Sequence, residues 1–371
     1  MKPGDVLDLP ASAATRGAGA EPAISFFEFW PAWAFYTPIV AQWVGLALRY
    51  RSVSLPTAAN PRIVSGGLCG ESKLSILDQV AGPARDLLAR YTSLRTDPAH
   101  PAADPAAAEA AMAATGLTYP VVAKPDIGCN GSGVRLIADH AALARYLAGF
   151  PRGEAVVLQE FIPLEGEAGL FYIRHPDAAA GRITSVTLKY PPVVVGDGRS
   201  NLRQLILADP RAGLVPELYL PRLGPRLAEV PKQGETVRLV FVGNHCKGAL
   251  FRDGTGHVTA ALTAALERLA RALPEFHFGR IDIRFDSPAA LARGEGFRVI
   301  EINGAGSEAT HVWDPRTRLL DAWRAQFFHY GQAWRIGAAN RARGHRPTGV
   351  AALWRLWRRQ KRLMAAYPVN D

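Results

Sequence analysis

The segment YPVVAKPDIGCNGSGVRLI, residues 119–137, places a lysine and a glycine-rich loop between two predicted strands. Strand Tyr119–Lys124 leads into Gly128, Gly131 and Gly133, and a second strand covers 134–137. A Rossmann or Walker loop is followed by a helix instead, and the Gly-Lys-Ser/Thr signature is absent here. The order predicts a glycine-rich hairpin whose backbone N–H groups, with Lys124, suit phosphate oxygens. The alternative is an ordinary turn.

About 35 residues later, VVLQEFIPLEGE (156–167) predicts an apolar strand that ends in polar residues. A strand that leaves its sheet at Gln159, Glu160, Phe161 and Ile162 can present backbone groups to an adenine edge, and Glu167 could accept ribose hydroxyls. The alternative is an edge strand with a solvated carboxylate.

FGRIDIRFD (278–286) and FRVIEINGAGS (297–307) each alternate with the two-residue period of a strand. Arg280, Asp282 and Arg284 share one face, and the opposite face (Ile281, Ile283 and Phe285) is expected to be buried. In the second strand Glu301 and Asn303 share a face, with Ile300 and Ile302 opposite. If the strands are antiparallel neighbours, Asp282, Glu301 and Asn303 converge as the oxygen ligands that magnesium prefers. A salt-bridged solvent face is the alternative.

In this order the segments resemble the ATP-grasp superfamily, and most nearly its D-alanine–D-alanine ligase-like branch, from Lys73 to Ser307. The resemblance implies an α+β fold in which two α+β subdomains clamp ATP. It also implies ATP with Mg²⁺ or Mn²⁺ as cofactors and an ADP-forming ligase that joins a carboxylate to an amine through an acyl phosphate. The expected divisions are an N-terminal region (1–70), subdomain A (71–158), subdomain B with the metal site (159–330) and a basic tail (331–371).

The resemblance also implies roles for individual residues. Lys73 and Lys124 would contact the nucleotide phosphates, and the loop with Gly128, Gly131 and Gly133 would cover them. The adenine hinge would be Gln159, Glu160, Phe161 and Ile162, with Glu167 at the ribose. The metal ligands would be Asp282, Glu301 and Asn303. The catalytic residues would be Arg280 facing the intermediate, Lys189 beside Tyr190 on the substrate side, and Gly306 at the oxyanion.

Two departures from the family leave the substrate open. The asparagine–glycine stretch from Asn303 to Gly306 lacks the family's proline–glycine turn, and the first seventy residues are too short of strands to form the usual preceding domain. The pattern Gly66-Gly67-x3-Glu71 resembles a substrate-amine loop, although a turn with a helix cap is the favoured interpretation. A non-catalytic ATP-binding module and a small-molecule kinase on the same fold are alternative functions.

Composition excludes several classes of protein. With 371 residues and 48% hydrophobic content the chain can bury a large core. Its net charge of +10 is concentrated at the end: residues 335–371 carry nine basic residues and one acid, so the rest carries +2. A nearly neutral body without a nucleic-acid motif argues against nucleic-acid binding. Three cysteines far apart in sequence predict a reducing compartment, and therefore a cytoplasmic protein.

Two segments leave membrane contact open. Residues 29–48 are uncharged and aromatic but contain Pro31, Pro38 and Gln42, so packing against the body, contact with a membrane surface and a true span are all considered. The basic amphipathic tail AALWRLWRRQKRLMAAY, residues 351–367, suits either an anionic membrane surface or docking on the body. The sequence leaves the oligomeric state open.

The remaining predictions concern local structure. A short strand is expected within Leu55–Val64, and a helix that begins near Lys73 is expected to run to about Ala89. His245 and His311 are interpreted as structural histidines, with the acceptor site as the alternative.

Overall fold

The structure is a computed structural model that describes residues 24–368, except the side chain of Cys246. The helices are α1 (Ala32–Tyr50), α2 (Lys73–Leu77), α3 (Asp104–Ala114), α4 (His140–Ala148), α5 (Leu202–Ala208), α6 (Leu220–Leu223), α7 (Ala260–Ala272), α8 (Pro288–Ala292), α9 (Leu319–Ala342) and α10 (Val350–Ala366). The strands are β1 (Tyr91–Arg95), β2 (Val121–Pro125), β3 (Arg135–Ile137), β4 (Ala155–Glu160), β5 (Gly166–Ile173), β6 (Arg182–Tyr190), β7 (Val193–Val195), β8 (Thr236–Arg238), β9 (Leu250–Asp253), β10 (Phe278–Phe285) and β11 (Phe297–Asn303).

Subdomain A is built on a four-stranded antiparallel sheet with the order β1-β4-β2-β3. Apolar residues from the sheet, such as Val121 and Leu158, pack against Leu143 and Leu147 of α4 and Met112 of α3. The predicted hairpin is present, because β2 and β3 pair antiparallel on either side of the glycine-rich loop.

Subdomain B is built on a five-stranded antiparallel sheet with the order β11-β10-β5-β6-β9. Leu262, Leu266 and Leu269 of α7 lie one helical turn apart and bury themselves in the core on one side of this sheet. On the other side Phe171 and Phe278 belong to a cluster that includes residues of α9. Two antiparallel sheets with helices segregated beside them form an α+β fold, and the predicted fold class is confirmed.

The β10–β11 hairpin has the predicted antiparallel pairing, with Asp282 opposite Glu301 and Arg280 opposite Asn303. An irregularity in register follows Asp282, so one residue of β11 has no partner there. As a result Ile300, predicted to face away from Glu301, lines the cavity described below, whereas Ile302 is buried.

A small unit follows β6, built from the two-stranded sheet β7–β8 and helices α5 and α6. It has its own apolar cluster, centred on Ile206, Tyr219 and Val237. The chain returns from this unit through residues 241–245, which lie against subdomain B.

Two local predictions were wrong. The strand expected within Leu55–Val64 is replaced by 3₁₀ turns at Leu55–Ala58 and Val64–Gly67, because Pro56 and Pro61 cannot donate to a sheet. The helix expected from Lys73 to Ala89 ends at Leu77, and a separate 3₁₀ turn begins at Gly82, which has a positive φ of 62°.

The helices at the two ends of the described chain both pack on the body. In α1, Phe35 and Ile39 are buried and the helix runs along α9, while its other side is exposed. Helix α10 buries Leu363 and packs on the glycine-rich loop. None of the helices in residues 24–368 has the length and apolar character needed to cross a membrane.

The predicted divisions meet the structure as follows. Residues 1–23 of the N-terminal region lie outside the described residues. Strand β4 continues across the division at 158/159 and α9 continues across the one at 330/331, so residues 331–342 are part of a helix with buried residues.

Candidate active site

A cavity of about 580 Å³ lies between the two large sheets and is lined by both subdomains. Nearly all of the residues singled out from the sequence line it: Lys73, Lys124, Gly128, Gly131, Gln159, Glu160, Phe161, Ile162, Glu167, Lys189, Arg280, Asp282, Glu301, Asn303 and Gly306. Gly133 and Tyr190 are not among the lining residues. The cavity thus joins segments that are more than 200 residues apart in sequence.

Lys124 connects the two subdomains. Its Nζ donates to Gln159 Oε1 at 2.9 Å and to the backbone oxygen of Ile300 at 2.8 Å. The side chain is 6% exposed, and burial lowers the pKa of Lys124 to about 8, against a smaller opposing effect of Glu301. A buried cation that lines a cavity is stabilised by any anion that enters it.

Lys73 reaches the same cavity from the start of α2. Its Nζ donates to the backbone oxygen of Gly128 at 2.6 Å and lies 3.6 Å from Glu301 Oε1. The helix is capped by Ser72, whose hydroxyl accepts from the N–H of Ser75 at 3.0 Å. Two lysines from separate elements therefore approach Glu301 from the side of the glycine-rich loop.

The glycine-rich loop is packed on both sides. A Cβ at Gly131 would lie 2.6 Å from Val242 Cγ1, and a Cβ at Gly133 would lie 2.7 Å from Pro125 Cγ and 3.0 Å from Tyr367 Cβ. Both glycines have positive φ values, 66° and 69°. Tyr367, just after α10, donates its hydroxyl to the backbone oxygen of Ile127 at 2.7 Å. Gly133 therefore does not line the cavity, but its close packing against Pro125 and Tyr367 fixes the position of the loop.

Asp282 forms ion pairs with two cationic side chains of the cavity. Arg280 donates to both of its oxygens, from Nε at 2.9 Å and from Nη2 at 3.1 Å, and Lys189 Nζ lies 3.1 Å from Oδ1. Burial opposes ionisation, but Arg280 and Lys189 hold the pKa of Asp282 below its usual value. The carboxylate is therefore ionised over the whole physiological range.

Glu167 lies at the start of β5, next to the predicted adenine hinge. Its carboxylate is 3.4 Å from Lys189 Nζ and 3.0 Å from Arg284 Nη2. A Cβ at Gly243 would lie 2.6 Å from Glu167 Oε1, so the segment 241–245 closes this end of the cavity. Phe161 and Phe241 face each other across it, with ring centroids 6.3 Å apart.

Gly306 lines the cavity, but its N–H is already donated to the backbone oxygen of Gly67 at 2.7 Å. The N–H of Ala305 is likewise donated to Gly66 at 2.9 Å. A Cβ at Gly306 would lie 2.5 Å from the backbone oxygen of Leu68. In this structure the 303–307 turn is thus held tightly against the Gly66–Gly67 loop.

Two further carboxylates line the cavity, Glu71 from the Gly66-Gly67-x3-Glu71 pattern and Glu308, which no sequence pattern indicated. Glu71 lines the cavity and has one buried carboxylate oxygen without a hydrogen-bond partner among the described residues, and burial raises its pKa. Glu308 accepts from Tyr36 at 2.8 Å, from Gln326 at 2.5 Å and from Trp313 at 2.9 Å. These donors come from α1, α9 and the turn before α9, and only the folded chain brings them to one carboxylate.

The two histidines have different surroundings. His245 lines the cavity, where its Nε2 lies 3.0 Å from Glu28 and its ring stacks on Trp313 with centroids 4.9 Å apart. His311 is not among the lining residues, and burial lowers its pKa. His311 thus fits the structural interpretation, whereas His245 lines the cavity.

The chemistry of the donor set fits a hard divalent cation. Asp282, Glu301 and Asn303 offer two carboxylates and one amide oxygen on a single face. Within residues 24–368 there is no cluster of three or more His, Cys, Asp or Glu side chains that could hold a metal ion, so the amide would be needed as a ligand.

Comparisons with known proteins give the following. No protein-family model and no curated protein matches the sequence. The chain is similar to the solved structure of a bifunctional glutathione synthetase from Pasteurella multocida, with 16% identity over 71% of this chain and 38% of that one and a TM-score of 0.35. It is also similar to VanG D-Ala:D-Ser ligase from Enterococcus faecalis, with 14% identity over 72% of this chain and 64% of that one and a TM-score of 0.39. A third similar structure is a RimK domain ATP-grasp protein from Sphaerobacter thermophilus, with 14% identity over 74% of this chain and 67% of that one and a TM-score of 0.36.

One of these solved structures is named a ligase and another is named an ATP-grasp protein. The matched region spans less than two thirds of the first two of these proteins.

Proposed function

We propose that this protein is an ATP-dependent ligase that activates a carboxylate as an acyl phosphate and joins it to an amine. The observation that supports this most is the composition of the cavity. Lys73, Lys124 and the glycine-rich loop stand on one side, and Asp282 and Glu301 face them from the other subdomain. Phosphoryl transfer from ATP requires cationic side chains that bind phosphate and, beside them, hard oxygen ligands for a divalent metal ion.

The nucleotide would lie across the cavity with its phosphates at the lysines. Lys124 would exchange its contact with the Ile300 carbonyl for a phosphate oxygen, which suits a buried cation. The base would lie at the hinge formed by Gln159, Glu160, Phe161 and Ile162, beside the ring pair of Phe161 and Phe241. Glu167 would accept from the ribose, which requires loosening one of its two ion pairs.

Asp282, Glu301 and Asn303 would hold magnesium, which supplies charge neutralisation for the ATP phosphates when bound. Lys189 and Arg280 would keep Asp282 ionised and oriented. Arg280 donates one N–H to each oxygen of Asp282 and one to the backbone oxygen of Glu308, so two of its five N–H groups could face the transferred phosphoryl group.

In the reaction a carboxylate oxygen of the substrate attacks the γ-phosphorus, and the bond to the β-phosphate oxygen breaks to release ADP. The amine then attacks the acyl carbon, loses a proton, and inorganic phosphate leaves. Arg280 would stabilise the negative charge that develops in these steps. Gly306 would contribute an N–H only after its bond to Gly67 has opened.

The acceptor end of the cavity would be the part lined by Tyr36, His245 and Trp313. Glu71 is the best candidate to receive the ammonium group of a substrate, because one of its buried oxygens has no partner among the described residues. The Gly66-Gly67-x3-Glu71 pattern would then be a substrate loop in addition to the turn that precedes α2 and its Ser72 cap.

A small-molecule kinase is the second candidate, and one observation favours it. The N–H groups of Ala305 and Gly306 are engaged within the protein, and a kinase that transfers phosphate to a hydroxyl has no need of an oxyanion site. A non-catalytic ATP-binding module would have no need of the metal ligands and Arg280 together.

Trapping the intermediate separates these three functions. We expect ADP release to require a carboxylate from a pooled acid library, and hydroxylamine to replace the amine and yield a hydroxamate. Lys124→Ala is the inactive control, and exposed Lys232→Ala is the matched active one. ADP release with hydroxyl compounds but no hydroxamate would identify a kinase, and ATP binding without any ADP release would identify a binding module.

A further inference from the structure

Helix α1 exposes an apolar face that nothing in the described chain covers. Trp33, Val40, Val44 and Leu48 follow one another at intervals of seven, four and four residues and so lie on one side of the helix. Trp33 and Leu48 are each 76% exposed. The opposite side, with Phe35 and Ile39, is the one buried against the body. Isolated exposed apolar residues are ordinary, but a continuous face of this kind marks an interaction surface.

Aromatic residues ahead of α1 extend this face. Phe26, Phe29 and Trp30 are all exposed, and Phe26 packs edge-to-face on Trp30 with ring centroids 5.2 Å apart. The acidic residue of this stretch, Glu28, is instead turned inward, buried and paired with Arg211 and His245. The outward side of residues 26–48 is therefore uncharged and rich in the aromatic residues found at membrane interfaces.

The rim of the face is positively charged. Arg49 and Arg51 follow directly after it, and within residues 24–368 neither has a carboxylate within 4.0 Å. Arginines at the end of an uncharged aromatic face suit a bilayer, whose interior is apolar and whose surface is anionic.

We propose that the exposed face of α1, with the aromatic turn at 26–30 and the arginines at its end, docks on an anionic lipid bilayer. Residues 1–23 are a poor cover, since Val6, Leu7 and Leu9 are their large apolar side chains after Met1. The proposal is independent of the ligase function.

Vesicle sedimentation of the full chain tests this docking. We expect binding to vesicles of phosphatidylcholine with phosphatidylglycerol, weaker binding to phosphatidylcholine alone, and loss of the difference at high salt. Trp33→Ser with Leu48→Ser should weaken binding by about tenfold or more, because each side chain loses apolar burial. Arg49→Ala with Arg51→Ala should weaken it by about fivefold per arginine.

Matched controls keep the test specific. Leu207→Ser with Leu214→Ser removes exposed apolar residues elsewhere, and Arg203→Ala removes an exposed arginine of α5, and neither should change binding. Unchanged thermal unfolding midpoints of all variants in the absence of ligand show that they are folded.

Three results would overturn the proposal. They are equal binding of wild type and the Trp33/Leu48 variant, loss of binding only on Trp354→Ser with Trp357→Ser in α10, and a lipid-free dimer that dissociates in the Trp33/Leu48 variant.

Discussion

Replacing Lys124 with methionine should leave the protein about as stable as before while removing its response to ATP. A pKa lowered from 10.5 to about 8 means that keeping this buried ammonium charged costs about 3 kcal/mol at neutral pH. Methionine removes that cost and keeps much of the volume. It also leaves Gln159 Oε1 and the Ile300 carbonyl without the hydrogen bond from Lys124, and each loss destabilises the fold by about 1–3 kcal/mol. The two effects have similar size and opposite sign.

The pH dependence of stability distinguishes this from a generic substitution. The folded pKa of Lys124 lies below that of the unfolded chain, so the unfolded state binds more protons between pH about 8 and 10.5. The penalty is therefore fully present below about pH 8, and the free energy of unfolding should rise with pH through that window. The Lys124→Met variant should lack this rise, while Lys232→Met, an exposed control, should keep it.

Urea unfolding at several pH values, with and without magnesium and ATP, measures both the pH dependence of the free energy of unfolding and the stabilisation by ATP. At ATP concentrations of about 100 times Kd the wild type should gain about 2.7 kcal/mol, and the variant should gain little. A full ATP response in Lys124→Met would show that the phosphates bind elsewhere. Parallel pH profiles of wild type and variant between about pH 8 and 10.5 would refute the burial reasoning.

Further expected outcomes concern catalysis, stability and the loop. Arg280→Ala should keep most ATP affinity yet lose about 10²- to 10³-fold in turnover, whereas Glu301→Gln should impair acyl phosphate formation itself. Product formation measures both. Full turnover in either variant would mean that the strand face shared by Arg280 and Asp282 is structural. Asn60→Ala should lower the free energy of unfolding by about 3 kcal/mol or more, because the buried amide of Asn60 makes four hydrogen bonds to Gly66, His277 and Phe278. An unchanged midpoint in urea titrations would contradict this. Tyr367→Phe should raise hydrogen exchange in residues 127–133, and identical exchange would show that its hydroxyl does not restrain the loop.

The parts of the fold that follow from the sequence are those fixed by local periodicity. Alternation with a period of two located β10 and β11 and placed Asp282 on the face of Glu301, because a strand offers two faces and the apolar one must be buried. The same reasoning put Ile300 in the wrong environment, since a bulge depends on how the partner strand is registered and not on composition.

The rest of the cavity depends on contacts between distant segments. Tyr36 and Trp313 both donate to Glu308, yet 277 residues separate Tyr36 from Trp313 and neither segment has a motif. The engagement of the Gly306 N–H by Gly67 is likewise set by tertiary packing, because a glycine pattern shows where backbone can approach and not which backbone does. The roles proposed for these residues remain predictions until the variants are measured.

The packing around the glycine-rich loop bears on how this sequence can drift. Gly131 lacks room because of Val242, and Gly133 because of Pro125 and Tyr367, so an added methyl group is resisted by the protein's own architecture. Mutations at these codons would be removed by selection on folding even in a lineage that no longer used a nucleotide. A descendant that had lost its chemistry would still display the motif, and genome surveys that infer activity from these glycines alone would count it as an enzyme.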